Sequence, residues 1–492
     1  MANTGDVEQY DLVILGAGAA GMIGAIAAQE AARAAGGKAL RVAVFEKNKE
    51  AGIKVLVCGG GRCNFTNAGS VGFLIEQFGR NGRFLTPALE HLDNEGLRAF
   101  FAGMGVPSHE EHDGKVYPNS NEARSVVEAL VRRMRELGVE IFAGEAVTEL
   151  KAQRHGGTEA QSKDTPAPEP LCASVPSCLC AFSITTPKRT LRARAVLMAT
   201  GGMSYQRMGT TGDGYRFAEA LGHSLVTPRP AIVGLLTQEE WPKALQGTAV
   251  DNVEVKIEVS GPLPRLATGK PTPSINDMLF THFGLSGPAV LNVSEIVAEL
   301  LEKMPTVTLQ VDLVRHLTHE QLGELLRNWQ QNCGKKLVRK MLVQGGRDVT
   351  ISATSPDLSW SSPGIKGPRV RSERFVSVPT RLAEQVLVLA GVPADLPCAH
   401  LTSAHIHQMI QILKNARFTI TATRGFKEAM VTAGGIALSE VDPHTLESKI
   451  VPNLFITGEV LDLTGPSGGY NLQLAFSTGH LAGTTAAQRL CS

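Results

Sequence analysis

One run of ten residues holds the densest set of chemically able groups in the chain: Cys58-Gly59-Gly60-Gly61-Arg62-Cys63-Asn64-Phe65-Thr66-Asn67. Three successive glycines leave no side chains in the way and tolerate positive φ, so their amides can crowd against a phosphate or a flat ring. Arg62 would add charge to phosphates, and Asn64 a polar contact at a ring edge. Cys58 and Cys63 stand at C-x4-C spacing, which suits a thiol pair relaying electrons through a disulfide. The intervening glycines disfavour the helix that holds such a pair, so a structural turn and a ligand-binding loop compete with the redox reading. A second polar pair, His282 and Ser286, interrupts the run Leu279 to Pro288. An imidazole titrating near neutrality can donate a proton to a substrate; the bland alternative is a buried histidine satisfied within a turn. Cys58, Cys63, His282 and Ser286 are the candidate catalytic residues.

These groups need a scaffold, and the scaffold is legible. The apolar run Asp11 to Leu15 leads into Gly16-x-Gly18-x-x-Gly21, an Ala-rich helical stretch that includes Ala19 and Ala20, and a second apolar strand ending at Glu46-Lys47. This order is the dinucleotide-binding βαβ unit: a tight turn at Gly16, backbone approach to a pyrophosphate at Gly18, and close helix–strand packing at Gly21. The helix N-terminus would face phosphates with free N–H groups, and Glu46 would accept ribose hydroxyls.

The far end of the chain turns that reading from NAD to FAD. A strand Leu454 to Thr457 stops at Gly458-Glu459, and Gly468-Gly469-Tyr470-Asn471-Leu472 opens a helix. Glu459 can reach a ribityl chain, and a helix N-terminus offsets negative charge on a reduced flavin. The strand Ala195 to Thr200 ends in Thr200-Gly201-Gly202, where backbone can approach the adenosine half; Ala146, Val147 and Asp213 complete the expected cofactor set. FAD is expected to be held without a covalent tether. NAD(P)H, if it donates electrons, must dock transiently, because no second nucleotide-binding unit is evident.

Resemblance then becomes specific. The chain resembles the BaiN-like flavoprotein family, also called the aminoacetone-oxidase type. The matching motifs are Gly16 to Gly21, Cys58 to Asn67, Ala199 to Gly202, Thr211 to Gly214, Leu279 to Pro288, Thr432 to Gly435 and the C-terminal block. Residues 151–190 and 343–374 lie outside it and read as insertions. The resemblance implies a flavin-dependent oxidoreductase whose hydride passes through N5. It leaves several substrates open: reduction of an activated C=C bond, oxidation of a small amine or amino ketone by O₂, and reduction of uracil in ribosomal RNA, which must first be unstacked. A protein that keeps FAD only as a structural ligand stands as the non-enzymatic alternative.

Composition narrows the field. Apolar residues make up 43% and charged residues 19% of 492 residues, as in a globular protein with ample core. The net charge is +1, but Arg327 to Arg374 carries a local excess of seven positive charges, leaving −6 elsewhere. Lys335, Lys336, Arg339, Lys340, Arg369, Arg371 and Arg374, with Trp329 and Trp360, could therefore meet RNA; a small-molecule partner is the first expectation, and the oligomeric state stays open. Eight cysteines in so long a chain make no disulfide framework. Cys172, Cys178 and Cys180 lack a fourth ligand at suitable spacing, so no metal is expected. The polar, acidic N-terminus and the absence of a long apolar run point to a cytoplasmic protein outside the membrane.

The expected architecture is α/β: a Rossmann-like FAD-binding domain split in sequence (1–227 and 428–492, with a loop insertion at 151–179) around an inserted β-barrel and helical domain at 228–427. Helices are expected at 86–104, 121–137, 317–341 and 379–390. Strands are expected at 139–149, 180–186, 253–259, 307–311 and 418–423.

Overall fold

The computed structural model describes residues 7–36, 39–111, 113–153, 181–259, 264, 266, 271–344 and 376–492. Two compact units emerge: residues 1–233, 267–269 and 424–492 form one, and residues 234–266 and 270–423 form the other.

The first unit is built on a seven-stranded sheet. Strand β1 (Glu8–Leu15) lies between β2 (Val42–Glu46) and the strand Thr190–Met198, parallel to both. Glu140–Ala143 extends the β2 edge in parallel, and Leu454–Ile456 pairs in parallel with the upper half of Thr190–Met198. Two antiparallel strands, Ala181–Thr185 and Glu149–Gln153, continue from its lower half. They flank the expected loop insertion, most of which lies outside the described residues. Alternation splits β1 between two cores: Leu12 and Ile14 face one apolar cluster, Val13 and Leu15 the other, each at most 1% exposed. Helix α1 (Ala19–Ala34) packs on the first face, crossed by the C-terminal helix Tyr470–Cys491. The crossing is close because its contact residues are small: a Cβ on Gly479 would lie 2.4 Å from the Ala20 carbonyl oxygen, and one on Gly483 would lie 2.1 Å from that of Gly24.

In the second unit, six antiparallel strands close a barrel in the order Leu235–Thr237, Gly284–Ser286, Ser274–Thr281, Ala249–Glu258, Val307–Asp312, Ala416–Thr423. The last strand closes it by pairing with the first. Phe280 and Phe418 are fully buried and make ring contacts with each other and with the half-buried Trp241. Helices His319–Asn332, Thr380–Leu389 and Ser403–Lys414 share one apolar core with the barrel.

Two expected helices are broken. The span 86–104 splits into Thr86–His91 and Asn94–Gly103, because Asp93 caps the second piece by accepting the Gly96 N–H at 2.7 Å. The span 317–341 splits at Cys333-Gly334 into His319–Asn332 and Val338–Gln344. A single strand over 139–149 is likewise two, Glu140–Ala143 and Glu149–Gln153, with Gly144 at φ +73° between them.

Candidate cofactor site

The three fingerprint glycines do different work. Gly16 holds φ +99°, donates its N–H to the Phe45 carbonyl at 2.8 Å, and would place a Cβ 2.6 Å from the Ala199 carbonyl oxygen. A Cβ on Gly21 would lie 1.9 Å from the Gly16 carbonyl oxygen. Gly18, the N-cap of α1, is the exception: no side chain caps the helix, and a Cβ there would meet no atom within 4 Å. The start of α1 therefore has free space at Gly18 and no side-chain cap, the setting in which a helix N-terminus holds an anion.

The segments around this turn are tied together by hydrogen bonds. Glu46, 9% exposed, accepts the Ala17 N–H at 3.0 Å and the Asn48 N–H at 2.8 Å. Its carbonyl accepts the Glu145 N–H at 2.9 Å, which sets Ala146 and Val147 beside the end of β2. Lys47 donates to Thr211 Oγ1 at 2.5 Å and pairs with Asp213 at 2.6 Å. Thr200 stands against Gly214, whose Cβ would lie 2.0 Å from the Thr200 hydroxyl oxygen; Gly201 follows at φ +70°.

A second uncapped helix N-terminus comes from the other end of the chain. Gly469, at φ +95°, is the N-cap of Tyr470–Cys491, and a Cβ there would lie 2.4 Å from the Thr66 carbonyl oxygen and 2.8 Å from Asn64 Oδ1. The structure thus brings Asn64 to the start of that helix, with its Oδ1 also accepting the Val116 N–H at 3.2 Å. Asn471 latches the preceding loop: its Oδ1 accepts the Gly465 N–H at 2.9 Å and its Nδ2 donates to the Gly465 carbonyl at 2.8 Å. Tyr470 is buried, and Leu472 packs on the α1 side of the core.

The loop Cys58–Gly61 is wound left-handed, with φ +58°, +67° and +87° at Gly59, Gly60 and Gly61, then +62° at Cys63. A Cβ on Gly60 would meet nothing within 4 Å. Both cysteines are free. Cys58 donates its S–H to the Lys54 carbonyl at 3.2 Å, and burial pushes its thiol up to about 11. Cys63 is fully buried, and burial pushes it well above the ordinary thiol range. Both are thus protonated at neutral pH, unsuited to attack as thiolates. Arg62, expected at phosphates, has its guanidinium engaged by Glu111 at 2.5 Å and Asn121 at 2.8 Å, over the Tyr117 ring at 3.9 Å.

One cluster escaped the sequence reading. Glu459 Oε1 accepts the Ser204 hydroxyl at 2.5 Å and the Thr432 N–H at 2.9 Å, while Oε2 pairs with Lys54 Nζ. Lys54 also donates to Ser204 Oγ at 2.7 Å, and Thr432 Oγ1 accepts the Met203 and Ser204 N–H groups at 2.7 and 3.0 Å. Gly202 permits this closeness, since its Cβ would lie 2.4 Å from Thr432 Oγ1. Gly458, at φ +74°, donates its N–H to Thr478 Oγ1 at 3.1 Å and would place a Cβ 3.1 Å from that of Ala20. The available signal was Lys54 itself, the lone charge in the apolar helix α2 (Ile53–Val57).

His282 and Ser286 belong to the second unit. His282 is exposed at the turn between Ser274–Thr281 and Gly284–Ser286, its ring edge-on to Phe283 at 5.1 Å. Ser286, half-buried, ends the hairpin opposite Leu279. Trp329 is fully buried in the helical core, so it offers no stacking platform for a base. Trp360, Arg369, Arg371 and Arg374, like Cys172, Cys178 and Cys180, lie outside the described residues. Among the described residues no group of three His, Cys, Asp or Glu is placed to hold a metal, and no helix is long and apolar enough to cross a membrane.

The family described as HI0933-like protein Rossmann domain matches residues 10–174 and 178–485. The chain belongs to this family. It is 29% identical, over 97% of its length and 98% of the relative's, to a 3-dehydro-bile acid delta(4,6)-reductase of Clostridium scindens. A ribosomal RNA dihydrouridine synthase of Haemophilus influenzae is 27% identical over 96% of the chain and 98% of its own length. Among solved structures, a 3-ketosteroid delta1-dehydrogenase of Sterolibacterium denitrificans aligns with TM-score 0.47 at 12% identity, over 98% of this chain and all of that one. The chain is an FAD-dependent oxidoreductase with a Rossmann-type FAD-binding domain and a barrel with helices, as its motifs imply.

Proposed function

We propose that the protein reduces a carbon–carbon double bond conjugated to a carbonyl in a small molecule. FAD is held non-covalently and recharged by NAD(P)H that docks transiently. The carrying observation is the open, uncapped start of α1 at Gly18, facing a space that the rest of the fingerprint leaves clear. The two named relatives support the choice of reaction: a delta(4,6)-reductase and a dihydrouridine synthase both add two hydrogens across a C=C bond in a carbonyl-conjugated system.

The residues divide the work. The α1 amides and the Gly16–Gly21 turn hold the pyrophosphate. Glu46 accepts ribose hydroxyls, with Ala146 and Val147 beside the adenosine. Glu459 and Gly458 take the ribityl chain, and the C-terminal helix start at Gly469 offsets negative charge on the ring. Asn64 and the Cys58–Gly61 loop border the ring. When bound, the flavin supplies two-electron transfer. Reduction of the conjugated bond also needs a proton, for which His282 is the proposed source, with Ser286 as its polar neighbour in sequence.

Anaerobic mixing of the yellow protein with NADH or NADPH tests the reading. Rapid bleaching, reversed by an α,β-unsaturated ketone, is the expected result. No bleaching with either donor, with peroxide formed from an amine, would establish an oxidase instead.

RNA as the substrate is the second reading, favoured by full-length similarity to dihydrouridine synthases from two organisms. Of the two tryptophans expected as stacking platforms, Trp329 is core and Trp360 lies outside the described residues. Mapping dihydrouridine in ribosomal RNA of a deletion strain, together with RNA binding by the purified protein across a salt series, decides it; an unchanged map and no salt-sensitive binding remove it.

A further inference from the structure

Lys54, Glu459, Ser204 and Thr432 form a closed hydrogen-bonded cluster within the first unit, and none of these contacts is needed to build a Rossmann sheet. The cluster stands between two segments of the candidate cofactor site. On one side Gly458 abuts Ala20 in the first turn of α1. On the other, one turn of α2 further on, Cys58 hangs from the Lys54 carbonyl and begins the left-handed glycine loop. Lys54 and Glu459 are each less than one-fifth exposed, so water screens their charges weakly. The ammonium is held at a fixed place by two acceptors, the Glu459 carboxylate and Ser204 Oγ. The carboxylate is held by three donors, Lys54, Ser204 and the Thr432 amide.

We propose that Lys54 is the charge that sets the reduction potential of the bound flavin, with Glu459 attenuating it and Ser204 and Thr432 fixing the pair. This rests on the FAD reading above. Two-electron, one-proton reduction leaves the flavin ring with one more negative charge than before, so a fixed cation nearby favours the reduced form and an uncompensated carboxylate opposes it. Lys54 contacts no reacting atom of the substrate; it acts through the cofactor.

Opposite charge removals separate this role from scaffolding. The midpoint potential of bound FAD is measured in the full-length holoprotein by equilibration with reference dyes. In Lys54→Met the reduced-to-oxidised ratio at fixed potential should fall at least tenfold, a downward shift of about 30 mV for a two-electron couple. In Glu459→Gln it should shift upward, and Lys54→Arg should stay near the wild type. Equal potentials in all three variants, or shifts of one sign in Lys54→Met and Glu459→Gln, overturn the proposal and leave the cluster a structural clamp. Should Lys54→Met fail to retain flavin, the direction of the Glu459→Gln shift decides. A wild-type protein that takes up no FAD would instead overturn the cofactor reading itself.

Discussion

Gly18 and Gly21 lie three residues apart and tolerate a methyl group very differently. Gly18 has room and an ordinary φ of −80°. Gly18→Ala should therefore keep apoprotein stability within about 0.5 kcal/mol, while FAD affinity drops at least tenfold because the methyl occupies the ligand's space. Gly21→Ala collides with backbone and should cost about 2–3 kcal/mol before any ligand is added. Thermal melts with and without FAD, beside flavin-binding titrations, check both. The thiols offer a pH test. With Cys58 raised to about 11, its alkylation by iodoacetamide should be slow at pH 7 and climb roughly tenfold per pH unit until about pH 11; a fast reaction at neutral pH would restore the redox-pair reading. His282→Gln should lower kcat by about 10²-fold or more with FAD content unchanged if it delivers the proton. The turn glycines Gly16, Gly21 and Gly469 were legible in the sequence, because their type answers to backbone geometry. Lys54 was not, because its partners Ser204 and Glu459 lie 150 and 405 residues away in sequence.

The element that ties the flavin unit together is the C-terminal helix, which crosses α1 through glycines and meets the helix Thr86–His91 through a histidine pair. His91 Nε2 and His480 Nδ1 lie 2.9 Å apart, with Phe100 edge-on to His480. Burial lowers both imidazoles, and the neighbouring His91 helps hold His480 at about 4. The sign follows. The unfolded chain takes up a proton near pH 6.5 and the folded one only near 4, so stability is present above 6.5 and lost as pH falls through that window. His480→Phe should flatten the fall in melting temperature between pH 7 and pH 4.5 by about a few degrees; a fall as steep as in wild type would show that the pair is not the sensor. The sequence showed these helices through apolar spacing but missed their breaks. The span 86–104 reads as continuous because Leu92 keeps the apolar rhythm, and only the Asp93 side chain bonding to Gly96 reveals a new start. At Cys333-Gly334 the rhythm likewise runs on across a turn.

At the scale of the whole molecule, each unit owns its core: one apolar cluster lies within 235–420, and two others lie within the flavin unit. Calorimetry should accordingly resolve more than one transition. FAD at a thousandfold excess over its dissociation constant should stabilise the flavin unit by about 4 kcal/mol. Trp329→Ala should lower the other transition, costing about 3–5 kcal/mol, without changing flavin affinity. One transition that FAD and Trp329→Ala move together would deny this independence.

The meeting of α1 with Tyr470–Cys491 also fixes an order of events during synthesis. The pyrophosphate turn leaves the ribosome before the helix that braces it and the Gly458-Glu459 wall, which follow roughly tens of seconds later. The barrel residues are complete in the interval and free to collapse on their own core. Nascent chains should thus acquire a folded barrel before they can retain flavin, and termination ahead of Tyr470 should yield colourless protein with an intact barrel.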